Sequence, residues 1–486
     1  MRETRTRTTR RHFLRAVGTG VAAMAIPRGT WAAGKAEADR SLPNIVFIFA
    51  DDMGYGDPRC YNPQSKCPTP NIDALAAAGM RFTDAHAPGS WCVPSRYGLI
   101  TGRYPFRAQR HRIEPDRLTI ASLLKRSGYA TACVGKWHLG FEGEKKPQPG
   151  QAMKGGPVDR GFDYYFGIHA SLDIPPYYYI ENDRCVAAPT GKVGDSHTDG
   201  WTKIQGAFWR GGGLAPGFKH DEVLPTFTDK AVAWLKETRA KSAKKPAFLY
   251  LALAAPHTPW LPTGRFRGAS GSNLYSDFVA QVDDAVGRVL RTLEKLGMKD
   301  DTLVIFSSDN GPVWYAQDVE RYGHRSVGPL RGMKADAWEG GHRMPFIARW
   351  PGHVPPGSRS DALICFTDMM ATFAEIVGRK VPPGAGEDSV SILPLLRGEK
   401  PTTPPRDTMI HPAGLWGVRQ GRWKLIVGQG SGGFSKPRRR KPEPGEPAGQ
   451  LYDLAADLGE TKNLYAAKPE IVQRLTRLLA QQRKKP

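Results

Sequence analysis

Long apolar stretches are scarce in this 486-residue chain. None reaches the roughly 18 residues that a bilayer-crossing helix requires, so no membrane span is expected. Cysteine is scarce too, with six at 60, 67, 92, 133, 185 and 365. They form no C-x-x-C pair, and no histidine-rich spacing points to zinc. Such a set suits an exported protein with one or two disulfides. Cys60 and Cys67 are close enough in sequence to pair, although spacing leaves the connectivity open. Negative charge is the third shortage: 47 Asp and Glu face 69 Lys and Arg, a formal net charge of +22. Nucleic acid and sulfated polysaccharide are both anionic partners for such a surface. No helix-turn-helix, zinc-finger or RNA-binding signature is present, so nucleic acid is not expected. No internal repeat is evident.

What is present describes a globular protein, 40% hydrophobic and 24% charged, and long enough for two domains. Residues 1–33 stand apart. Thr9-Arg10-Arg11-His12-Phe13-Leu14-Arg15 precedes a modestly apolar Ala16 to Ile26 and a small-residue site at Thr30-Trp31-Ala32-Ala33. Charge, apolar core and cleavage-like site occur in signal-peptide order, and the paired arginines resemble a bacterial twin-arginine signal. The twin-arginine export machinery carries folded proteins, so any site chemistry would be complete before delivery to the periplasm or the exterior.

Asn44 to Ala50 is a continuous apolar run, as expected of a strand buried on both faces. Tyr129 to Val134, Ala247 to Ala254 and Thr302 to Phe306 read the same way. Helical patterns intervene at Ile120 to Arg126, Phe227 to Thr238 and Leu274 to Leu296. A further helix is introduced by Thr69-Pro70 and ended by Gly79, with Leu75 and Ala78 on its apolar face. This alternation predicts an α/β domain over 41–399, with a mostly parallel central sheet flanked by helices. Beyond a Pro-rich linker at 399–405 the texture changes. Strand-like runs at 408–412, 416–419, 423–427 and 451–454 and a closing helix from Pro469 predict a smaller antiparallel sheet with a packed helix, over 406–486.

Three strand ends carry chemistry. Asp51-Asp52 follows the first strand and Ser307-Ser308-Asp309-Asn310-Gly311 follows the 302–306 strand. In parallel α/β sheets ligands bind outside the carboxyl ends of strands. Asp51, Asp52, Asp309 and Asn310 together make an oxygen-rich site for a hard cation such as Ca²⁺; singly, each pair reads as a turn. Gly135-Lys136-Trp137-His138-Leu139-Gly140 follows a third strand. In extended chain Lys136 and His138 would face the same side.

The most specific string is Cys92-Val93-Pro94-Ser95-Arg96, followed by Tyr97-Gly98-Leu99-Ile100-Thr101-Gly102-Arg103. With the Gly-Lys-Trp-His-Leu-Gly run, the Asp-Asn-Gly block and Trp338-Glu339-Gly340-Gly341-His342-Arg343, it resembles the type I, cysteine-type sulfatases of the alkaline-phosphatase superfamily. The motifs run in matching order from about residue 43 to 464. The resemblance implies a sulfuric ester hydrolase whose Cys92 is oxidised to formylglycine by a separate maturation enzyme, with Ca²⁺ held by Asp51, Asp52, Asp309, Asn310 and residue 92. It further implies that Arg96 and His138 serve the nucleophile, that Lys136 and Lys334 bind sulfate, that His257 meets the ester oxygen as general acid, and that Ser171 lines the site.

Export plus basic charge favours a sulfated carbohydrate over an aryl sulfate as substrate. Tyr177-Tyr178-Tyr179 and Trp209 offer rings for stacking on it or for loop packing. The rival readings are a phosphatase or phosphodiesterase of the same superfamily, with a Ser or Thr nucleophile and two zinc ions, and a catalytically silent binder of sulfated glycans.

Overall fold

The computed structural model describes residues 42–108 and 112–485, so the signal-peptide expectation for 1–33 lies outside them. The strand Asn44–Asp51 is buried at every position. It pairs in parallel with Thr302–Ser308 on one side and Ala247–Pro256 on the other. Ala130–Lys136 and Tyr164–Ile168 extend the parallel order beyond Ala247–Pro256. On the opposite flank Arg343–Arg349 runs antiparallel to both its neighbours, Thr302–Ser308 and Met80–His86, so that the latter regains the direction of the central strands. Among the described residues these strands belong to one eleven-stranded sheet. Parallel neighbours need long crossovers, and the helices in those crossovers cover the faces that the apolar strands require covered.

The helix Leu274–Lys295 begins where the Asn273 side chain accepts from the Ser276 amide, and it buries Phe278, Val279, Val282, Val286 and Val289, as its 3.6-residue apolar spacing demands. Val223–Lys241 extends the expected 227–238 helix at both ends. Pro70–Ala77 buries Ile72, Leu75 and Ala76, whereas Ala78, expected on that face, is exposed. The helix has already ended there, so the 3.6-residue spacing no longer governs where Ala78 points. The strands Met80–His86 and Arg343–Arg349 carry too many polar and charged residues to read as apolar strands from sequence; both are pinned by neighbours distant in the chain.

The C-terminal segment forms an antiparallel four-stranded sheet, Thr408–Pro412, Trp416–Gln420, Trp423–Val427 and Gln450–Asp453, in that order. The helix Pro469–Lys484 lays Val472, Leu475 and Leu479 against Met409, Val418, Leu425 and Leu451. Tyr104 and Cys365 join the same apolar cluster, and the described residues form one compact unit.

The seam between this sheet and the larger part is polar. Asp84 is gripped by Arg343 at 2.9 Å and Arg419 at 2.6 Å. Lys424 lies 2.9 Å from both Glu339 and Glu460. His86 Nδ1 lies 3.0 Å from His342 Nδ1, and the His411 ring stacks on His342 at 3.7 Å. All three histidines are fully buried.

All six cysteines are free thiols, which corrects the disulfide expectation. Cys67 points inward, with Sγ 3.6 Å from His324 Nε2, and is buried, while Cys60 sits half-buried at the surface turn. The 177–179 tyrosines and Trp209 serve packing: Tyr177 and Tyr178 are buried, Tyr179 stacks on Phe166, and Trp209 stacks on His220.

Candidate functional site

Register decides which carboxylates meet. Ala50 pairs with Ser308 across the parallel strands, so the chain leaves both at the same level and delivers Asp51-Asp52 beside Asp309-Asn310. The turn is locked by short bonds. The Asp52 amide donates to Asp309 Oδ1 at 3.2 Å, the Met53 amide to Ser308 Oγ at 2.9 Å, and Asn310 Nδ2 to Asp52 Oδ1 at 2.6 Å. Asp52 itself sits in the left-handed region at φ 64°, a conformation that Asp tolerates better than most residues.

A network behind this turn was not legible in the sequence. Tyr275 hydroxyl lies 2.5 Å from Asp57 Oδ2 and 3.0 Å from the Asp52 carbonyl oxygen. His324 Nε2 lies 2.8 Å from Asp57 Oδ1, and the Gly54 amide donates to Asp57 Oδ2 at 2.6 Å. The fully buried Asp57 is thus the post on which the acidic turn is hung. Its only sequence signal is its place in Gly54-Tyr55-Gly56-Asp57, right after the acidic pair. Tyr275 and His324 come from distant elements and give none.

The helix Cys92–Thr101 opens at Cys92 and ends at Gly102, whose φ of 67° caps it in the left-handed form that glycine accepts freely. Pro94 sits in the first turn, where a missing amide hydrogen costs little. Arg96, one turn on, is fully buried. Its Nε donates to Asp309 Oδ2 at 3.0 Å, its Nη1 to the Lys136 carbonyl at 3.2 Å, and its Nη2 lies 3.6 Å from Asp51 Oδ2. The helix therefore aims residue 92 at the acidic group: Sγ, one oxygen each of Asp51 and Asp52, and a ring nitrogen of His257 all lie within 4.8 Å of one another.

The other predicted residues close around this point. Lys136 Nζ donates to Asp51 Oδ2 at 2.6 Å. Lys334 Nζ reaches both Asp52 oxygens, at 2.6 and 2.8 Å. His257 Nδ1 lies 2.6 Å from the Thr258 carbonyl, so the proton belongs on Nδ1 and Nε2 faces Asp52 Oδ2 at 3.7 Å. His138 also arrives, but not by strand alternation: the strand ends at Lys136, and His138 takes a left-handed φ of 57°. The chain is not extended there, which corrects the simple same-side argument. Ser171 is buried after Tyr164–Ile168, lining a small cavity with His169, Tyr177 and Phe218. Among the described residues it has no hydrogen bond to the acidic group.

The electrostatics follow from dense, buried charge. Burial alone would raise Asp51, but Lys136, His257 and Arg96 hold it well below the usual carboxylate range. Burial, then the Asp51 charge, pushes Asp309 up to about 7. Burial and the Lys136 and Arg96 cations hold His138 well below an ordinary imidazole, so it is a neutral acceptor. Burial pushes the Cys92 thiol up to about 11, against the pull of Lys136 and Lys334. At neutral pH an unmodified Cys92 is therefore protonated and a poor nucleophile.

The donor set fits a hard divalent cation. Asp51 Oδ1 and Asn310 Oδ1 are buried oxygens without a hydrogen-bond partner, beside the crowded Asp52 and Asp309 carboxylates.

Comparison with known proteins agrees with this geometry. A family model described as Sulfatase matches residues 43–379. The chain is 35% identical over 483 residues to an N-acetylgalactosamine-6-O-sulfatase of Bacteroides thetaiotaomicron, covering 90% of this chain and 92% of that protein. It is 33% identical to human arylsulfatase A over 470 residues, covering 90% and 87%. A solved Bacteroides thetaiotaomicron sulfatase, described with the metabolism of multiple glycosaminoglycans, superposes with a TM-score of 0.80. It shares 32% identity and covers 92% of this chain and 100% of that one.

Proposed function

The chain belongs to the sulfatase family, and from that premise we propose that it removes sulfate from a sulfated carbohydrate at the site built around residue 92. Sulfate-ester hydrolysis is the family's reaction, and its members use a formylglycine and a divalent metal. The carbohydrate assignment is supported by the N-acetylgalactosamine-6-O-sulfatase relative and by the basic surface. The observation that carries the whole reading is the convergence of Cys92 with Asp51, Asp52 and His257 at the mouth of a buried helix.

Asp51, Asp52, Asp309 and Asn310 would hold the metal, and their all-oxygen character favours Ca²⁺. A formylglycine made from Cys92 supplies, once hydrated, an oxygen nucleophile and a route back to the aldehyde that a plain Cys or Ser lacks. Around it the side chains have separate tasks. Arg96 neutralises Asp309 and Asp51 and fixes their positions. Lys136 and Lys334, each within 3 Å of the acidic pair, are placed to exchange those partners for sulfate oxygens and offset the dianionic charge that builds up in the transition state. As the imidazolium, with Nδ1–H held by the Thr258 carbonyl, His257 presents its Nε2–H to the departing alcohol oxygen, gives up that proton and becomes neutral. The neutral His138 accepts a proton on the opposite step, as sulfate leaves. Ser171, buried beside His169 after Tyr164–Ile168, would line the site without touching the acidic group.

The reading includes a formylglycine-generating partner, delivery by the twin-arginine route and residence in the periplasm or outside the cell. These rest on the Cys92 string and on residues 1–33. No helix among the described residues is long and apolar enough to cross a membrane.

Intact mass of the mature protein tests the nucleophile, because conversion of Cys92 lowers it by about 18 Da, a covalent change. A panel of defined sulfated mono- and oligosaccharides, scored for released sulfate, tests the substrate class. Unconverted Cys92 in a fully active preparation would refute the nucleophile, and activity restricted to aryl sulfates would refute the carbohydrate.

A further inference from the structure

The strands Trp423–Val427 and Gln450–Asp453 are antiparallel neighbours, which a turn of a few residues can join. Instead the chain runs out from Gly428 to Gly449. This arm has a rigid root. The Ala337 amide donates to the Ser431 carbonyl at 2.7 Å, the Ser435 amide to Asp336 Oδ1 at 3.1 Å, and Ser435 Oγ to Asp336 Oδ2 at 2.5 Å. Gly433 packs so closely on Ala335 that a Cβ there would overlap its backbone. The segment so gripped begins with Lys334, whose ammonium holds Asp52, and the Ala335 amide donates to the Ser90 carbonyl at 2.7 Å, two residues before Cys92. The arm is therefore anchored on the rim of the site.

Its tip begins one residue past Ser435. Lys436-Pro437-Arg438-Arg439-Arg440-Lys441 is exposed throughout. Among the described residues only Arg440 of these five cations has a carboxylate partner, Glu446, while Arg439 donates to the Gly414 carbonyl. Clustered like charges repel one another: among the described residues Lys436, Arg438 and Lys441 form no ion pair, and the arm's five cations outnumber its two carboxylates, Glu443 and Glu446. At the root, Phe434 is 36% exposed and offers an apolar face beside the charge.

We propose that this arm binds the sulfate groups of sugars flanking the scissile one, making it a docking surface for a sulfated polysaccharide chain that runs through the active site. The proposal rests on the sulfated-carbohydrate reading above. Guanidinium groups match sulfate oxygens in bidentate geometry. Rooting the arm beside Lys334 turns binding of the flanking sulfates into an intramolecular event once one ester is engaged. A monosaccharide sulfate reaches the catalytic residues alone and gains nothing from the arm.

The test uses the full mature enzyme and the triple variant Arg438→Ser, Arg439→Ser, Lys441→Ser, with Arg438→Lys, Arg439→Lys as the charge-conserving control. Labelled chondroitin 6-sulfate chains measure binding apart from turnover. 6-O-sulfo-N-acetylgalactosamine and 4-nitrophenyl sulfate measure turnover of small esters. The expected result is a Kd for the chains raised about tenfold in the triple variant, with a shallower salt dependence, and raised by no more than about threefold in the control, which keeps the charge but loses the guanidinium fork. kcat/KM for both small esters should stay within about twofold of wild type. An unchanged Kd for the chains overturns the proposal. So does an equal loss on the small esters, which would make the arm part of the catalytic pocket. Weakened binding of single-stranded DNA with unaltered glycan binding overturns it as well, in favour of a nucleic acid. If wild type turns over 4-nitrophenyl sulfate but no carbohydrate, the substrate reading fails, and the labelled chains still decide the arm.

Discussion

Acidification from pH 8 to pH 5 is expected to remove about 2 kcal/mol of folding stability through His86 alone. Burial holds this imidazole down at about 4, helped by Arg343, although Glu339 and Asp84 pull the other way. The unfolded chain takes up the proton near the ordinary value of about 6.5. Between the two values the unfolded state binds more protons, so stability is complete above about pH 7 and falls as pH drops toward 4. The full loss, below both values, is about 3.4 kcal/mol at about 1.36 kcal/mol per unit.

The geometry gives the cause. Asp84 Oδ1 lies 2.7 Å from His86 Nε2, which places the first proton there, so Nδ1 accepts from His342 at 3.0 Å. A second proton on Nδ1 would set two donors against each other in a seam that already holds Arg343, Arg419 and Lys424. His342 and His411 are held well below the ordinary value by burial, with Lys424 acting on both, so they add in the same direction. Denaturant unfolding of wild type and His86→Gln, followed by tryptophan fluorescence at pH 8, 6.5 and 5, checks this. The variant should be weaker at pH 8 by about 1–2 kcal/mol for its lost hydrogen bonds, but should lose about 2 kcal/mol less on acidification. Parallel pH curves for the two proteins would refute the reasoning.

Three further outcomes are expected. His257→Ala should slow release of an alkyl alcohol from a sugar sulfate by about 10²–10⁴; it should slow 4-nitrophenyl sulfate much less, since that leaving group needs little proton assistance, and equal losses would exclude the general-acid role. Chelation should abolish activity and lower the unfolding temperature, with both restored by Ca²⁺, and Asp51→Asn should raise the Ca²⁺ concentration needed for half-recovery about tenfold or more. Mg²⁺ rescuing as well as Ca²⁺ would count against the calcium assignment. Gly433→Val should destabilise by about 1–3 kcal/mol, because its Cβ overlaps the Ala335 backbone, and should raise KM by displacing the Lys334 segment; an unchanged KM would detach the arm root from the site.

The residues of the candidate site were legible wherever they sit in short contiguous strings. Asp51-Asp52 directly follows an apolar run and Asp309-Asn310 follows another after Ser307-Ser308, so strand ends place both pairs, whereas Cys92 and Arg96 were singled out by the resemblance of their string to a known family. The Asp57–His324–Tyr275 support was not legible because its members are far apart in sequence and each is an ordinary residue in its local window. The same holds for His86, His342 and His411, which read as unremarkable until three chain segments bring them together. The Lys136–His138 argument reached the right neighbourhood through the wrong geometry, since periodicity cannot report a strand that ends one residue early.

By itself the sequence determined the buried parallel strands and the antiparallel C-terminal sheet, and its contiguous motifs marked the candidate reacting groups, because burial periodicity and short strings are local properties. Only the tertiary structure decided how these groups share charge: which lysine holds which carboxylate, why Asp309 and Asp51 shift in opposite directions, and why the cysteines stay unpaired. Those outcomes depend on desolvation and on distances between residues hundreds of positions apart, quantities that exist only once the strands are in register.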